Sequence, residues 1–201
     1  MRRSSPGITL VTLALALAAS APAQESAPRA PAEDKARMEA WQRASTPGEA
    51  HKRLEPIVGT FDTKVRSRLD PSKPPEDSVG TSVNSWTIGG RYVEQQFDGT
   101  MMGEPFTGIG YMGYDNVQKK YVSVWMDSAG TGMIYLTGAA DATGKTITGR
   151  STIWDPVSGK SFPVESKLVI ADGDHYSFEL VGKAPNGRLT KLVEIQYTRK
   201  K

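Results

Sequence analysis

Residues 111–132 read YMGYDNVQKKYVSVWMDSAGTG. Two aromatic-rich runs, 111–114 and 121–127, flank Asp115-Asn116, a pair that favours turns because short polar side chains bond the neighbouring backbone. In the second run Tyr121, Ser123, Trp125 and Asp127 alternate with Val122, Val124 and Met126, the two-residue period of a strand with two different faces. The segment therefore reads as strand, turn, strand. Either face is a candidate for the interior. The Val–Met face is apolar enough for core. The Tyr–Ser–Trp–Asp face suits a cavity, because pockets combine apolar surface with a few placed polar groups, and Asp127 ends the strand and so falls at the mouth. The closing Asp127-Ser128-Ala129-Gly130-Thr131-Gly132 has only the composition of a phosphate loop. It lacks Gly-Lys-Ser/Thr, and no helix follows to present backbone amides. Nor does it have the strand–turn–helix setting of a nucleophile elbow. It is expected to be a turn.

The same period runs through most of the chain. Strands are expected near 57–69, 79–88, 91–97, 106–114, 120–127, 133–139, 146–154, 162–170, 175–182 and 189–198. Gly89-Gly90, Asp115-Asn116, Asp172-Gly173 and Asn186-Gly187 separate them, supplying the positive φ angles of tight hairpins. No helical segment between them is long enough for a parallel crossover. The pattern predicts a mainly β, single-domain fold, an antiparallel up-and-down meander of about ten strands. Closing it into a barrel removes the exposed edges, with a two-sheet sandwich as the alternative.

Before the strands, residues 34–44 (DKARMEAWQRA) predict a helix with Met38 and Trp41 on one face. Thr46-Pro47-Gly48-Glu49 has the form of a capping box with proline at the first helical position, so a second short helix should end before Pro56. Residues 24–33 (QESAPRAPAE) read as a disordered linker. Residues 1–23 have a basic start, a short apolar run and a closing Ala21-Pro22-Ala23. This is the pattern of a cleavable signal peptide, which implies a periplasmic or secreted protein whose single barrel domain is expected over residues 34–201. No lipid-anchoring cysteine follows the apolar run.

The composition narrows the chemistry. The 201 residues contain no cysteine and two histidines, which leaves no thiol catalysis and little material for a metal centre. Removing residues 1–23 takes Arg2 and Arg3 and no acidic residue, lowering the formal charge from +3 to +1, too little for a nucleic-acid footprint. His175, beside Asp172-Gly173, is expected to be an exposed turn residue, and haem ligation through it is judged against, so no cofactor is expected. His51 is expected at the surface or as a cap. Gly108 and Gly110 lie inside a strand, where glycine marks close packing, strong coiling or the approach of a ligand. Arg91, Val93, Gln95 and Phe97 share one face, and Gln95 between two apolar neighbours needs a partner if it is buried.

Several motifs in combination carry a family resemblance: Val58-Gly59-Thr60-Phe61, Ile88-Gly89-Gly90-Arg91-Tyr92, Pro105-Phe106-Thr107-Gly108, Gly113-Tyr114-Asp115, Trp125-Met126-Asp127-Ser128 and Tyr197-Thr198-Arg199. Over about residues 35–199 the chain resembles the bacterial domain-of-unknown-function 1579 family. The resemblance implies a calycin-like, lipocalin-like barrel, and no catalytic residues to carry over. Phe61 stands where related barrels often place tryptophan, which weakens a direct analogy to lipocalins.

The leading expectation is a barrel that binds a small apolar or amphipathic molecule. Phe97, Tyr114 and Trp125 would supply contact area, while Arg91, Gln95 and Asp127 would orient a polar group at the mouth. A solidly filled interaction barrel, with a homodimer among its assemblies, is the second reading. An enzyme using Asp127 or Glu94 as acid or base is the third.

Overall fold

A computed structural model describes residues 31–68, 73–183 and 189–201. The expected signal peptide, residues 24–30 of the expected linker and the expected Asn186-Gly187 turn lie outside them. Ten strands close into one antiparallel barrel in sequence order: β1 Gly59–Ser67, β2 Glu76–Thr87, β3 Tyr92–Met101, β4 Glu104–Asp115, β5 Lys120–Asp127, β6 Ile134–Ala140, β7 Thr146–Trp154, β8 Ser161–Ile170, β9 His175–Lys183 and β10 Leu189–Arg199. Closure comes from β1 pairing with β10, Phe61 opposite Arg199 through Ser67 opposite Val193. The barrel, rather than the sandwich, is the arrangement formed, and it leaves no unpaired edge.

Two helices precede the barrel. Helix α1 spans Pro31–Ser45, taking in the last three residues of the expected linker, and α2 spans Glu49–Lys52. A 3-10 turn at Glu55–Ile57 leads into β1. The expected Thr46–Glu49 capping box does not form. Thr46 Oγ1 instead donates to the Gln42 carbonyl at 2.7 Å, closing the end of α1. The N-cap falls to Gly48, whose N–H donates to His51 Nδ1 at 3.1 Å. Glu49 turns outward to Lys52 at 2.7 Å.

Helix α2 and the 3-10 turn floor one end of the barrel. Leu54 and Ile57 enter the main core with Phe61, Val93, Tyr121, Ile147, Leu168, Ile170, Tyr176 and Tyr197. Trp86 Nε1 donates to Glu55 at 2.7 Å, tying the floor to β2. Arg199 completes the seal. Its guanidinium lies 4.6 Å from the Phe61 ring centre and donates to the carbonyls of Pro56, Val58 and Gly173. Towards the other end, Val164, Leu180 and Leu192 form a smaller cluster on the β8–β10 side. There β10 carries a bulge between Lys191 and Val193.

Candidate functional site

Cross-strand register decides which face of each strand points inward. Gly110 lies opposite both Gln95 and Trp125, and Met112 opposite Val93 and Ser123. Val93 is a core residue, so Tyr121, Ser123, Trp125 and Asp127 face the lumen, and Val122, Val124 and Met126 form the outer wall. Gly108 and Gly110 explain how an indole fits there. A Cβ at either position would fall against the Trp125 ring, which lies flat along the wall of β4. Phe97 lies in the same way against Gly80 and Gly99. Aromatic rings laid on glycines lie along the wall rather than across the barrel. Ser123, Trp125 and Asp127 are only half-buried although they point inward. They are thus less buried than Tyr121 on the same face, which is 3% exposed.

Asp127 stands at the mouth. Its carboxylate accepts from Trp125 Nε1 at 2.8 Å and from the Ala129 N–H at 3.0 Å. Ser128 completes the turn, its N–H donating to the Thr107 carbonyl at 2.9 Å and its Oγ accepting from the Thr107 N–H at 3.1 Å. Below the aromatic belt lies a polar cluster that sequence reasoning touched only at Gln95. Ser82 Oγ donates to Asn84 Oδ1 at 2.7 Å. Asn84 Nδ2 donates to the Ile57 carbonyl at 2.7 Å and to the Tyr176 hydroxyl at 2.8 Å. Gln95 Nε2 donates to Ser82 Oγ at 2.9 Å and to the Tyr197 hydroxyl at 3.3 Å. The two tyrosine rings stack with centroids 3.9 Å apart. Burial pushes the Tyr197 hydroxyl up to about 12 and that of Tyr176 well above its ordinary value, so both stay neutral. The legible signal was the alternation Ser82, Asn84, Trp86, whose polar members would be costly to bury unless bonded to one another.

The remaining expected site residues divide. Gln95, Phe97, Trp125 and Asp127 line one lumen. Tyr114 also points inward but belongs to the floor, packing edge-on against Tyr121 at 5.0 Å and His51 at 5.9 Å. Arg91 precedes β3 at the Gly89-Gly90 turn and donates to the Ile88 carbonyl at 3.2 Å; it borders a cavity with Tyr114 rather than lying with Gln95, Phe97, Trp125 and Asp127. Glu94 lies on the outer wall, where it accepts from Gln96 at 2.7 Å. Asp127 and Glu94 therefore sit on opposite sides of the wall. His175 is exposed and bonds Asp172 at 3.0 Å, whereas His51 is buried. A cavity of about 520 Å³ lies between the end of α1 and β3–β6; besides the outward-facing Tyr92, Tyr111, Val122, Val124 and Tyr135 it is lined by His51, Ser123 and two of the expected site residues, Arg91 and Tyr114.

Comparison with known proteins places this architecture. The family model described as a protein of unknown function (DUF1579) matches residues 46–199, from just after α1 to the end of the barrel. The chain belongs to this family. Among curated proteins none matches it. The crystal structure of Rv2717c from M. tuberculosis is similar over 78% of this chain and 100% of that one, at 17% identity and a TM-score of 0.57. An S-type phycobiliprotein lyase, CPES from Guillardia theta, is similar over 77% and 99%, at 11% identity and a TM-score of 0.51. At these identities the likeness extends to the barrel fold of this DUF1579 member and no further.

Proposed function

We propose that this DUF1579 barrel binds a small, largely apolar molecule in its lumen, and that it does so after export through the signal-like residues 1–23. The observation that supports this reading is the half-buried inward face of Ser123, Trp125 and Asp127. Trp125, half-buried and flattened against Gly108 and Gly110, supplies apolar surface, and Phe97, buried against Gly80, Gly99 and Phe106, backs the same wall. A filled structural barrel would instead direct bulky aliphatic side chains at these positions.

Native mass spectrometry of the purified protein should reveal a co-purifying small molecule. Independently, the neutral fluorescent probe N-phenyl-1-naphthylamine should bind the delipidated protein with a blue-shifted emission. Ser123→Trp, which places an indole in the lumen, should abolish probe binding, while Tyr135→Ser on the outer wall should leave it unchanged. A folded protein that carries no molecule and ignores the probe overturns the proposal.

A further inference from the structure

The polar cluster beneath the aromatic belt has one member with nothing to bond. Thr63 is 2% exposed, and its Oγ1 is the buried side-chain polar atom among the described residues that has no hydrogen-bond partner. Thr63 sits on the inward face of β1, opposite Tyr197 on one side and Gly80 on the other. An orphaned buried hydroxyl costs about 1–3 kcal/mol and marks a place where a polar atom from elsewhere is accommodated. Next to it, the Tyr197 hydroxyl accepts from Gln95 at 3.3 Å. Gln95 is only half-buried and so is exposed to the lumen, while Ser82, Asn84, Tyr176 and Tyr197 behind it are buried.

Charge decides what this cluster can receive. The inward-facing strand positions of the described residues carry no lysine or histidine, and Arg199 is the one arginine among them. Its donors are committed to three backbone carbonyls, and its Nε lies 3.3 Å from Asp174. The cluster itself contains only hydroxyls and amides. An anion brought to this depth would lose its hydration with no cation to replace it, and a cation would meet no carboxylate, since Asp127 stands at the mouth.

We infer that Thr63, Gln95 and Tyr197 form a recognition site for an uncharged oxygen function, a hydroxyl or carbonyl, at the end of the ligand that enters first. This rests on the lumen-binding reading and gives it an orientation, polar end deep and apolar body against Phe97 and Trp125. A charged group on the same molecule would have to remain at the mouth.

Displacement of N-phenyl-1-naphthylamine by three ten-carbon chains tests the inference: decan-1-ol, decanoate and decyltrimethylammonium. Decanol should compete at least about tenfold better than either ion, because each tenfold step needs only a small part of the cost of burying an unpaired charge. Thr63→Val, which keeps the side-chain shape, and Gln95→Leu should each erase most of that advantage. Tyr135→Ser on the outer wall should leave both probe binding and the decanol advantage unchanged. Thr63→Val should also raise the Tm of the ligand-free protein, an opposite effect that a merely structural hydroxyl would not couple to decanol selectivity. If the probe binds but decanoate competes as well as decanol, or if neither variant alters the preference, the inference falls and lumen binding stands. If the probe does not bind at all, the lumen-binding reading falls and takes the inference with it.

Discussion

At the scale of single residues, the lumen depends on which glycines lie beneath which aromatics. Gly108 and Gly110 read in the sequence as marks of close packing, strong coiling or ligand approach within a strand, and the structure shows close packing: they are the bed of Trp125. A methyl group at Gly108 must displace that ring. Gly108→Ala should therefore cost about 1–3 kcal/mol by overpacking and weaken the tryptophan near-ultraviolet circular dichroism. An unchanged Tm and spectrum would show that the indole does not rest there. The buried tyrosine pair makes a second prediction. Folding holds the phenolic proton of Tyr197 more tightly than the unfolded chain does, about 12 against an ordinary 10, with Tyr176 shifted the same way. Their contribution is complete below pH 10 and is lost as pH rises from there through the folded values. Urea unfolding between pH 8 and 11.5 should show stability falling above pH 10, with Tyr197 accounting for about 2 kcal/mol by the upper end. Tyr197→Phe should flatten that fall; an equally steep loss in the variant would place the alkaline sensitivity elsewhere.

At the scale of elements, every strand was legible, because polar–apolar alternation and turn residues are local properties. All ten expected strands are present, with boundaries moved by a few residues. Which face of β5 points inward was not legible, since a two-residue period defines two faces without orienting them. Orientation came from partners on β3 and β4, contacts that exist only once the register is formed. The capping of α2 was misread for a related reason. Thr46 had two possible roles, and the end of α1 claimed its hydroxyl, leaving the cap to His51. That substitution has a pH consequence. Burial lowers the His51 pKa below its ordinary 6.5, so the folded protein favours the neutral ring that accepts from Gly48. The stability this provides is present above pH 6.5 and is lost as pH falls through the lowered folded value. Thermal melts from pH 7.5 to 4.5 should show His51→Gln less sensitive to acid than the parent. Equal slopes would remove His51 from the acid response.

At the scale of the whole molecule, the two N-terminal helices are unequal parts of the barrel. Most of α1 is exposed, with Met38 and Trp41 at 70% and 65%. What fastens it is Asn116 at the β4–β5 turn, whose amide donates towards the carbonyls of Arg43, Ala44 and Thr46 at 2.8–3.3 Å. Exposed hydrogen bonds of this kind stabilise little, so α1 adds almost nothing to the core. The next few residues differ sharply, because Leu54 is fully buried and Ile57 nearly so, beneath Phe61 and the tyrosine pair. They close the end of a barrel whose polar cluster includes the Ile57 carbonyl as an acceptor. A chain starting at residue 46 should therefore fold, melt within a few degrees of the longer protein and keep binding N-phenyl-1-naphthylamine in the lumen. Leu54→Ala in the same chain should cost about 2–5 kcal/mol, because the floor cannot collapse into the space left between the strands. Chemical unfolding of the two proteins separates these roles. If the truncation proves as costly as Leu54→Ala, then α1 packs on the barrel far more tightly than its exposure indicates. If Leu54→Ala is nearly neutral, the floor does not depend on α2, and the tyrosine cluster must be held by the strands alone.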